Sequence, residues 1–206
     1  MNRLTFTLAR VLRRDEALMR LSVVQAALMS ELAGKSVALV GNARALSNRT
    51  EGARIDAADI VIRINRAPMP APHTHGSRCD WLALATAIGP GDLARIAPNR
   101  ILWMSHKRKR LPWAAATSHG FYLHPVAEFA RLRSQLSAPP TTGLMMIDLL
   151  AQSGLARLDL FGFDFFASLS LTGSRTAGQV PHDFGAERGF VEALIAHDPR
   201  VTLIGG

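Results

Sequence analysis

Cysteine is almost absent from this chain of 206 residues, which contains only Cys79. A single thiol cannot form an internal disulfide, so the fold must depend on its core rather than on covalent cross-links. Nor does the sequence contain a run of about 18 or more apolar residues, which argues against a membrane-spanning helix. The N-terminal stretch lacks a signal-peptide pattern, because Arg10, Arg13 and Arg14 interrupt its apolar residues. We therefore expect a protein of the reducing cytosol.

Acidic residues are scarce relative to basic ones. The chain has 16 Asp and Glu against 24 Lys and Arg, a formal net charge of +8. This excess favours an anionic partner, which could be a nucleotide, a nucleic acid, an acidic glycan or a membrane surface. Hydrophobic residues make up 48% of the sequence, enough to build a core, so the composition is not that of a disordered chain.

Residues 1–35 are predicted to form a basic amphipathic helical segment that precedes an α/β domain at 36–206. Apolar side chains recur close to helical spacing from Leu18 to Leu32, and several arginines lie among them. Such a segment either packs on the protein's own core or lies on an anionic membrane, and the pattern leaves both open. The basic run at 106–110 is either a solvated loop or a contact for anionic groups. It carries no interleaved aromatic platform, and we expect no nucleic-acid partner.

From Ser36 onward, short apolar runs alternate with turns and helical patterns. Strands that alternate with helices predict a single Rossmann-like, three-layer α/β domain with a mainly parallel sheet. The predicted strands are 36–41, 59–65, 80–85, 100–105, 120–124, 157–163 and 200–205. The predicted helices are 125–135, 142–153 and 186–197, and the longest predicted loops are 66–78 and 167–181. A loop of the second size is often functional, for example as a lid.

Several predicted strands end in asparagine or glycine residues that suit ligand binding. These residues lie at the sheet edge where ligands of open α/β folds bind. Asn42 follows Gly41 at the end of the first strand, Asn65 ends the second, and Gly162-Phe163 ends the strand at 157–163. Glycine lets the backbone approach a ligand, and the Asn side chain offers both a donor and an acceptor. Each is also an ordinary turn residue. The dinucleotide pattern G-x-G-x-x-G is absent, which argues against an NAD enzyme.

Two further clusters lie where predicted helices begin. Thr142 and Gly143 open one helix, where the dipole and backbone N–H groups can hold an anion, although a plain N-cap by Thr141 or Thr142 is the alternative. His182 precedes the helix at 186–197, and Glu187 lies close to the start of that helix. Histidine has a reference pKa of about 6.5 and can accept a proton from a hydroxyl at neutral pH.

In their order along the chain, these clusters resemble the motifs of glycosyltransferase family 29, the sialyltransferases. Residues 37–80 are similar to the family's large motif, 140–163 to its small motif, and His182-x-x-x-x-Glu187 to its very small motif. The chain departs from the animal members because it lacks the cysteines that join the large and small motifs. The usual His-aromatic motif is not recognisable either. A short, cysteine-poor chain resembles a bacterial member, active in polysaccharide biosynthesis.

This resemblance implies a catalytic domain at 36–206 with a variant GT-A fold that inverts the anomeric centre without a metal. The donor would be CMP-sialic acid or a related acidic sugar such as CMP-Kdo, and the acceptor a hydroxyl of a glycan or glycolipid. His182 would be the catalytic base. The residues that hold the donor would be Asn42, Asn65, Thr142, Gly143, Gly162 and Phe163. We expect no cofactor and no metal, since no carboxylate pair suited to Mg²⁺ or Mn²⁺ lies beside the motifs.

A non-catalytic protein that binds nucleotides or polyanions on the same scaffold is the alternative function. The presence of His182 favours an enzyme, because catalysis requires a base, whereas the missing His-aromatic motif favours a binding protein. The expected location is the cytoplasm, and peripheral contact with the inner face of an anionic membrane is left open.

Overall fold

The computed structural model describes residues 1–165, 171 and 181–205. The strands are β1 (Ser36–Val40), β2 (Ile60–Ile64), β3 (Trp81–Leu84), β4 (Arg100–Trp103), β5 (Tyr122–Leu123), β6 (Arg157–Phe161) and β7 (Val201–Ile204). The helices are α1 (Arg3–Val11), α2 (Asp15–Met19), α3 (Gln25–Leu32), α4 (Gly52–Asp56), α5 (Pro72–His75), α6 (Pro90–Ile96), α7 (Trp113–Ala116), α8 (Val126–Leu136), α9 (Thr142–Ala151) and α10 (Phe184–His197). Short 3-10 turns lie at Arg44–Asn48 and Arg108–Arg110.

The strands form one sheet in the order β5-β4-β3-β2-β1-β6-β7, and each of these neighbouring pairs is parallel. All seven predicted strands are present, and the predicted α/β fold with a parallel sheet is confirmed. The run at 120–124 is ordered as a strand only at Tyr122–Leu123, because this edge strand pairs with β4 alone.

The three predicted helices correspond to α8, α9 and α10, with small differences at their ends. Helix α10 begins at Phe184 rather than 186, because the side chain of Asp183 accepts the N–H of Ala186 at 2.9 Å and caps the helix. The predicted loop 66–78 contains the short helix α5. The predicted lid at 167–181 lies outside the described residues except for Leu171 and Pro181.

Alternate side chains of the strands pack on two opposite layers of helices, as the period of a β-strand requires. On one face, Val37 and Leu39 of β1 share a buried cluster with residues of α3, α8, α9 and α10. On the other face, Ala38 and Val40 pack with residues of α4, and Trp103 of β4 packs with residues of α1, α2 and α7. The result is the three-layer arrangement that the sequence predicts.

The N-terminal segment 1–35 is helical, but it folds as three short helices rather than as one long helix. Arg13 has a left-handed φ of 55°, which ends α1 and turns the chain toward α2. Two ion pairs join the segment to the rest of the domain. Asp15 pairs with Arg108 of the 3-10 turn after β4 at 2.6 Å, and Glu31 pairs with Arg100 of β4 at 2.7 Å. The inner faces of all three helices are buried. Those buried residues are Phe6, Ala9, Leu18, Leu28 and Leu32.

None of the described helices combines the length and the apolar character that crossing a bilayer requires.

The sheet order contains one reversal, and it defines the expected ligand site. The chain lays β2 to β5 progressively outward from β1, and then returns to place β6 on the other side of β1. In open parallel sheets, ligands bind in the crevice at the carboxyl ends of the strands beside such a switch point. This topology predicts a ligand site at the residues that follow β1 and β6.

Candidate active site

The ends of β1 and β6 approach each other so closely that only glycine fits between them. The N–H of Gly41 donates to the carbonyl of Phe161 at 2.7 Å, and the N–H of Ala43 donates to the carbonyl of Gly162 at 3.1 Å. A Cβ atom on Gly41 would overlap the carbonyl oxygen of Gly162. Gly162 itself has a φ of +66°, a backbone conformation that residues with a side chain rarely adopt. At the switch point, the ends of β1 and β6 are therefore joined directly through their backbones.

The ring of Phe163 joins the ends of β1 and β6 to the start of α9. A Cβ on Gly143 would lie 2.7 Å from Cε1 of this ring, and a Cβ on Gly41 would lie 3.2 Å from Cε2. The ring thus rests against two glycine backbones and is itself half-buried. Gly41 and Gly143, which are both distant in sequence from Gly162 and Phe163, are thus brought together with them at one point.

Asn42 and Asn65 follow the carboxyl ends of the neighbouring strands β1 and β2, which lie about 4.8 Å apart in a sheet. Asn65 adopts a left-handed φ of 53°, and its side-chain Oδ1 accepts the N–H of Ala85 at 3.3 Å. This bond fixes the orientation of the Asn65 side chain. Its oxygen is engaged, so the side-chain amide group contributes its N–H donors to the site. The carbonyl of Asn42 accepts the N–H of Leu171 at 2.8 Å. Both residues are half-buried.

Helix α9 begins at the same edge with Thr141 as its N-cap, one of the two capping residues predicted. The hydroxyl oxygen of Thr141 accepts the N–H of Leu144 at 3.1 Å. The N–H groups of Thr142 and Gly143 are the first two of the helix and have no acceptor within it. Thr142 is only 7% exposed, so this helix start is largely enclosed.

His182 is held by one ring nitrogen, which determines the chemistry left to the other. Its Nδ1 lies 2.7 Å from the carbonyl oxygen of Pro139. A carbonyl oxygen can only accept, so Nδ1 must carry the proton and donate it. In the neutral ring, Nε2 then presents a lone pair. This is the tautomer that a general base requires.

Glu187 ties the start of α10 to the start of α9. Its carboxylate accepts the backbone N–H of Thr141 at 2.6 Å and the Thr141 hydroxyl at 2.7 Å. Together with the bond from His182 to Pro139, these contacts connect residues 139–141 to residues 182–187. The two helix starts that the sequence analysis singled out therefore form one unit beside the switch point.

The model of glycosyltransferase family 29 (sialyltransferase) matches residues 15–78 of this chain. Among solved structures, a mammalian sialyltransferase in complex with Gal-beta-1-3GalNAc-ortho-nitrophenol has 17% sequence identity and a TM-score of 0.65. That similarity covers 100% of this chain and 80% of the other. The sialyltransferase CstII from Campylobacter jejuni, in complex with the substrate analogue CMP-3FNeuAc, has 15% identity and a TM-score of 0.57, over 82% of this chain and 80% of that one. No curated protein matches the chain.

The resemblance to family 29 is confirmed. The family match supports the prediction of a sialyltransferase-like glycosyltransferase, and the solved structures share its fold. The matched residues include the ends of β1 and β2 with Asn42 and Asn65, which correspond to the large motif in the sequence analysis.

Burial alters the acidity of the glutamate in the very small motif. The side chain of Glu187 is only 3% exposed, and burial raises its pKa to about 7. The two bonds from Thr141 oppose this rise, and the charge of Asp183 adds to it. Desolvation is therefore the stronger influence on this carboxyl group.

We expect Glu187 to make the stability of the protein depend on pH. Its folded-state pKa of about 7 lies above the ordinary value of 4.5, so the folded state binds this proton more tightly than the unfolded state does. The resulting stabilisation is complete below about pH 4.5 and is lost as the pH rises through about 7. The loss amounts to about 3 kcal/mol. Urea unfolding at a series of pH values measures it.

Glu187→Gln should remove this pH dependence, because an amide does not titrate and can still bond to Thr141. Glu192→Gln is the matched control, since Glu192 lies on the same helix with 65% of its side chain exposed. An unchanged slope in Glu187→Gln would contradict the assignment.

Two residues that support the site were missed by sequence reasoning. Pro139 acts through its carbonyl group, which leaves no signal in a sequence. Arg63 is buried in β2 and donates to the carbonyls of His75 and Arg78 at 2.6 and 2.7 Å, so it holds the segment that follows Asn65. A single arginine inside the apolar run of 59–65 was a signal that could have identified it.

In the part of the chain that the structure describes, no group of three or more His, Cys, Asp or Glu side chains could hold a metal ion.

Proposed function

We propose that the chain transfers sialic acid, or a related acidic sugar such as Kdo, from a CMP-activated donor to a hydroxyl of a glycan or glycolipid. The observation that carries the proposal is the convergence at one sheet edge. The ends of β1 and β6, the start of α9 and the bonded pair His182–Pro139 all lie at the switch point.

The donor-binding part of the proposal rests on backbone and amide groups. The glycines at the ends of β1 and β6 let a flat base or a ribose approach the backbone closely, beside the half-exposed ring of Phe163. Asn42 and Asn65 offer amide donors to the phosphate. The start of α9 offers N–H groups and the positive end of the helix dipole to the phosphate or to the sugar carboxylate.

The chemical step assigns the base to His182. Nε2 takes the proton of the acceptor hydroxyl, and the hydroxyl oxygen attacks the anomeric carbon of the sugar. The bond from that carbon to the phosphate oxygen breaks, and its electron pair leaves with CMP. One displacement inverts the anomeric centre. The charge that develops on the leaving phosphate is stabilised by pre-oriented donors in a site that excludes water.

Metal independence is part of the proposal. In this scheme, helix N–H groups and amide donors take the role that a divalent cation has in many nucleotide-sugar transferases. This assignment agrees with the net charge of +8, which reduces the need for an added cation beside an anionic donor.

We expect CMP to raise the melting temperature of the protein more than UMP or NAD does, and to do so in EDTA. A ligand that binds only the folded state stabilises it according to its concentration and affinity, by about 2.7 kcal/mol at a concentration of 100 times Kd. Thermal-shift measurements with the three compounds test this. Equal shifts for all three, no shift with CMP, or a CMP shift that needs Mg²⁺ would contradict the proposal.

Turnover of a CMP-sugar distinguishes the proposed transferase from a non-catalytic binding protein. Release of CMP from CMP-sialic acid or CMP-Kdo, in the presence of glycan acceptors, supports the enzyme. A CMP-dependent thermal shift with no release from any CMP-sugar would support the binding protein instead.

A further inference from the structure

The outer face of α1 exposes an apolar surface that the fold does not use. Five of the seven large hydrophobic side chains exposed in the described residues lie within the first twelve positions, so they form a patch rather than a scatter. They recur at helical spacing on the side of α1 that faces away from the buried Phe6 and Ala9. This surface, the α1 stripe, consists of Met1, Leu4, Leu8, Val11 and Leu12, which are 48–70% exposed.

A basic segment lies beside helix α1. Residues 107–110 follow β4, and in this segment Lys107, Lys109 and Arg110 are exposed. The guanidinium of Arg10 donates to the carbonyl of Leu111 at 2.9 Å, so α1 packs directly against the end of this segment. Arg13 and residues 106–110 together line a hollow of about 400 Å³.

The acidic groups nearby do not neutralise this surface. Helix α1 contains no Asp or Glu. Asp15 is paired with the buried Arg108 at 2.6 Å, and Glu16 is exposed at the start of α2. Lys107, Lys109 and Arg110 therefore remain exposed cations beside α1, and Arg13, which directly follows the α1 stripe in sequence, lines the same hollow.

We propose that the α1 stripe and the basic segment 107–110 dock on an anionic lipid bilayer. An apolar helix face with basic residues along its border lies in the interface of such a bilayer, where the apolar side chains enter the acyl boundary and the cations meet lipid phosphates. A protein partner would need an acidic, concave surface to match both parts. A bilayer matches both without any shape complementarity.

The position of this surface indicates which acceptor the enzyme uses, a step that rests on the proposed transferase function. The basic segment follows the carboxyl end of β4, at the same edge of the parallel sheet as Asn42 and Asn65. Strand β4 is three strands from β1, a distance of about 14 Å. Docking at this edge brings the donor site close to the bilayer surface, which fits an acceptor glycan carried on a membrane lipid.

The experiment measures binding of the full chain to vesicles of phosphatidylglycerol and phosphatidylcholine, with phosphatidylcholine alone as the comparison. We expect binding to the anionic vesicles that weakens with added salt. Lys109→Gln/Arg110→Gln should reduce the vesicle affinity by about 25-fold, at about fivefold for each charge lost near the surface. Leu4→Gln/Leu8→Gln should reduce it on the order of tenfold, because less apolar area enters the bilayer.

Matched controls separate this surface from general charge and hydrophobicity. Lys35→Gln/Arg95→Gln removes the same charge elsewhere, and Val24→Gln/Val126→Gln removes two exposed apolar side chains outside the stripe. Both control pairs should bind vesicles within about twofold of the unmodified protein. All four pairs leave the buried residues of α1 to α3 in place.

Equal losses in test and control pairs, or equal binding to both kinds of vesicle, would overturn the proposal. The CMP-dependent thermal shift does not involve lipid. A protein that binds CMP but not vesicles would therefore refute the docking surface and leave the proposed function standing.

Discussion

His182→Ala is expected to slow turnover of the CMP-sugar by about 10²–10⁴-fold, the usual contribution of a positioned general base. The affinity for CMP should change little, because the proposed donor contacts come from other residues. The physical reason is the bond from Nδ1 to the Pro139 carbonyl, which presents Nε2 as the proton acceptor. CMP release from CMP-sialic acid, together with CMP binding, gives the two readouts.

Two further variants distinguish loss of the base from loss of structure. His182→Asn replaces the ring nitrogen with an amide that can still donate toward Pro139 but cannot act as a base, and it should be as slow as His182→Ala. His197→Ala is the matched control, because His197 lies exposed at the other end of α10, and its Nδ1 also lies 2.7 Å from a backbone carbonyl. Its turnover should be normal.

Asn65→Ala should show the opposite pattern from His182→Ala, with CMP affinity falling first. A His182→Ala protein with normal turnover would remove His182 from the mechanism. His106 would then be the next candidate, because it follows β4 at the same sheet edge and stacks on Phe129 with ring centroids 3.9 Å apart. His124 is a weaker candidate, since burial lowers its pKa to about 4 and seals the ring inside the core.

The parts of the fold that were predictable from sequence are those encoded by local patterns. The apolar runs such as 36–41 and 157–163 predicted strands because a buried parallel strand needs nearly continuous apolar residues. The alternation of these runs with helices then predicted a parallel sheet, whose carboxyl edge collects whatever follows each strand. This is why the sequence alone predicts that Asn42, Asn65 and Gly162 lie at one edge of the sheet.

The parts that were not predictable depend on contacts between distant residues. The bond from His182 to Pro139 and the bonds from Glu187 to Thr141 join segments more than 40 residues apart. A backbone acceptor such as the Pro139 carbonyl is present at every position and so carries no sequence signal. The division of residues 1–35 into three helices was also missed, because the turn at Arg13 needs a left-handed φ that arginine rarely adopts.

Phe163 has a packing role that its position in the sequence does not reveal. The sequence predicts that it ends a strand, and the family resemblance implies that it helps to hold the donor. Its ring also fills the space above Gly41 and Gly143, and it thereby sets the spacing of the strand ends and the helix start. A glycine after a strand is common in turns, and only the close approach seen in the structure explains why these two positions need one.

Gly41→Ala is expected to lower the free energy of unfolding by about 1–3 kcal/mol, the usual cost of adding a methyl group to a filled space. The new Cβ would overlap the carbonyl oxygen of Gly162 and lie 3.2 Å from the ring of Phe163. The Gly162 carbonyl cannot retreat freely, because it accepts the N–H of Ala43 at 3.1 Å. The ends of β1 and β6 must therefore separate.

The same separation should weaken CMP binding on the order of tenfold, which corresponds to about 1.4 kcal/mol. Asn42 directly follows position 41, and the ring of Phe163 packs against position 41. Because both residues are proposed to contact the donor, the substitution should displace two donor contacts together. Gly91→Ala is the matched control, because a Cβ at that position in α6 meets no atom within 4 Å. It should leave CMP binding unchanged and stabilise the helix slightly, by up to about 1 kcal/mol. Urea unfolding and CMP titration on both variants test these two expectations. A Gly41→Ala protein as stable as the unmodified chain, with the same CMP affinity, would show that the ends of β1 and β6 are neither closely packed nor part of the donor site.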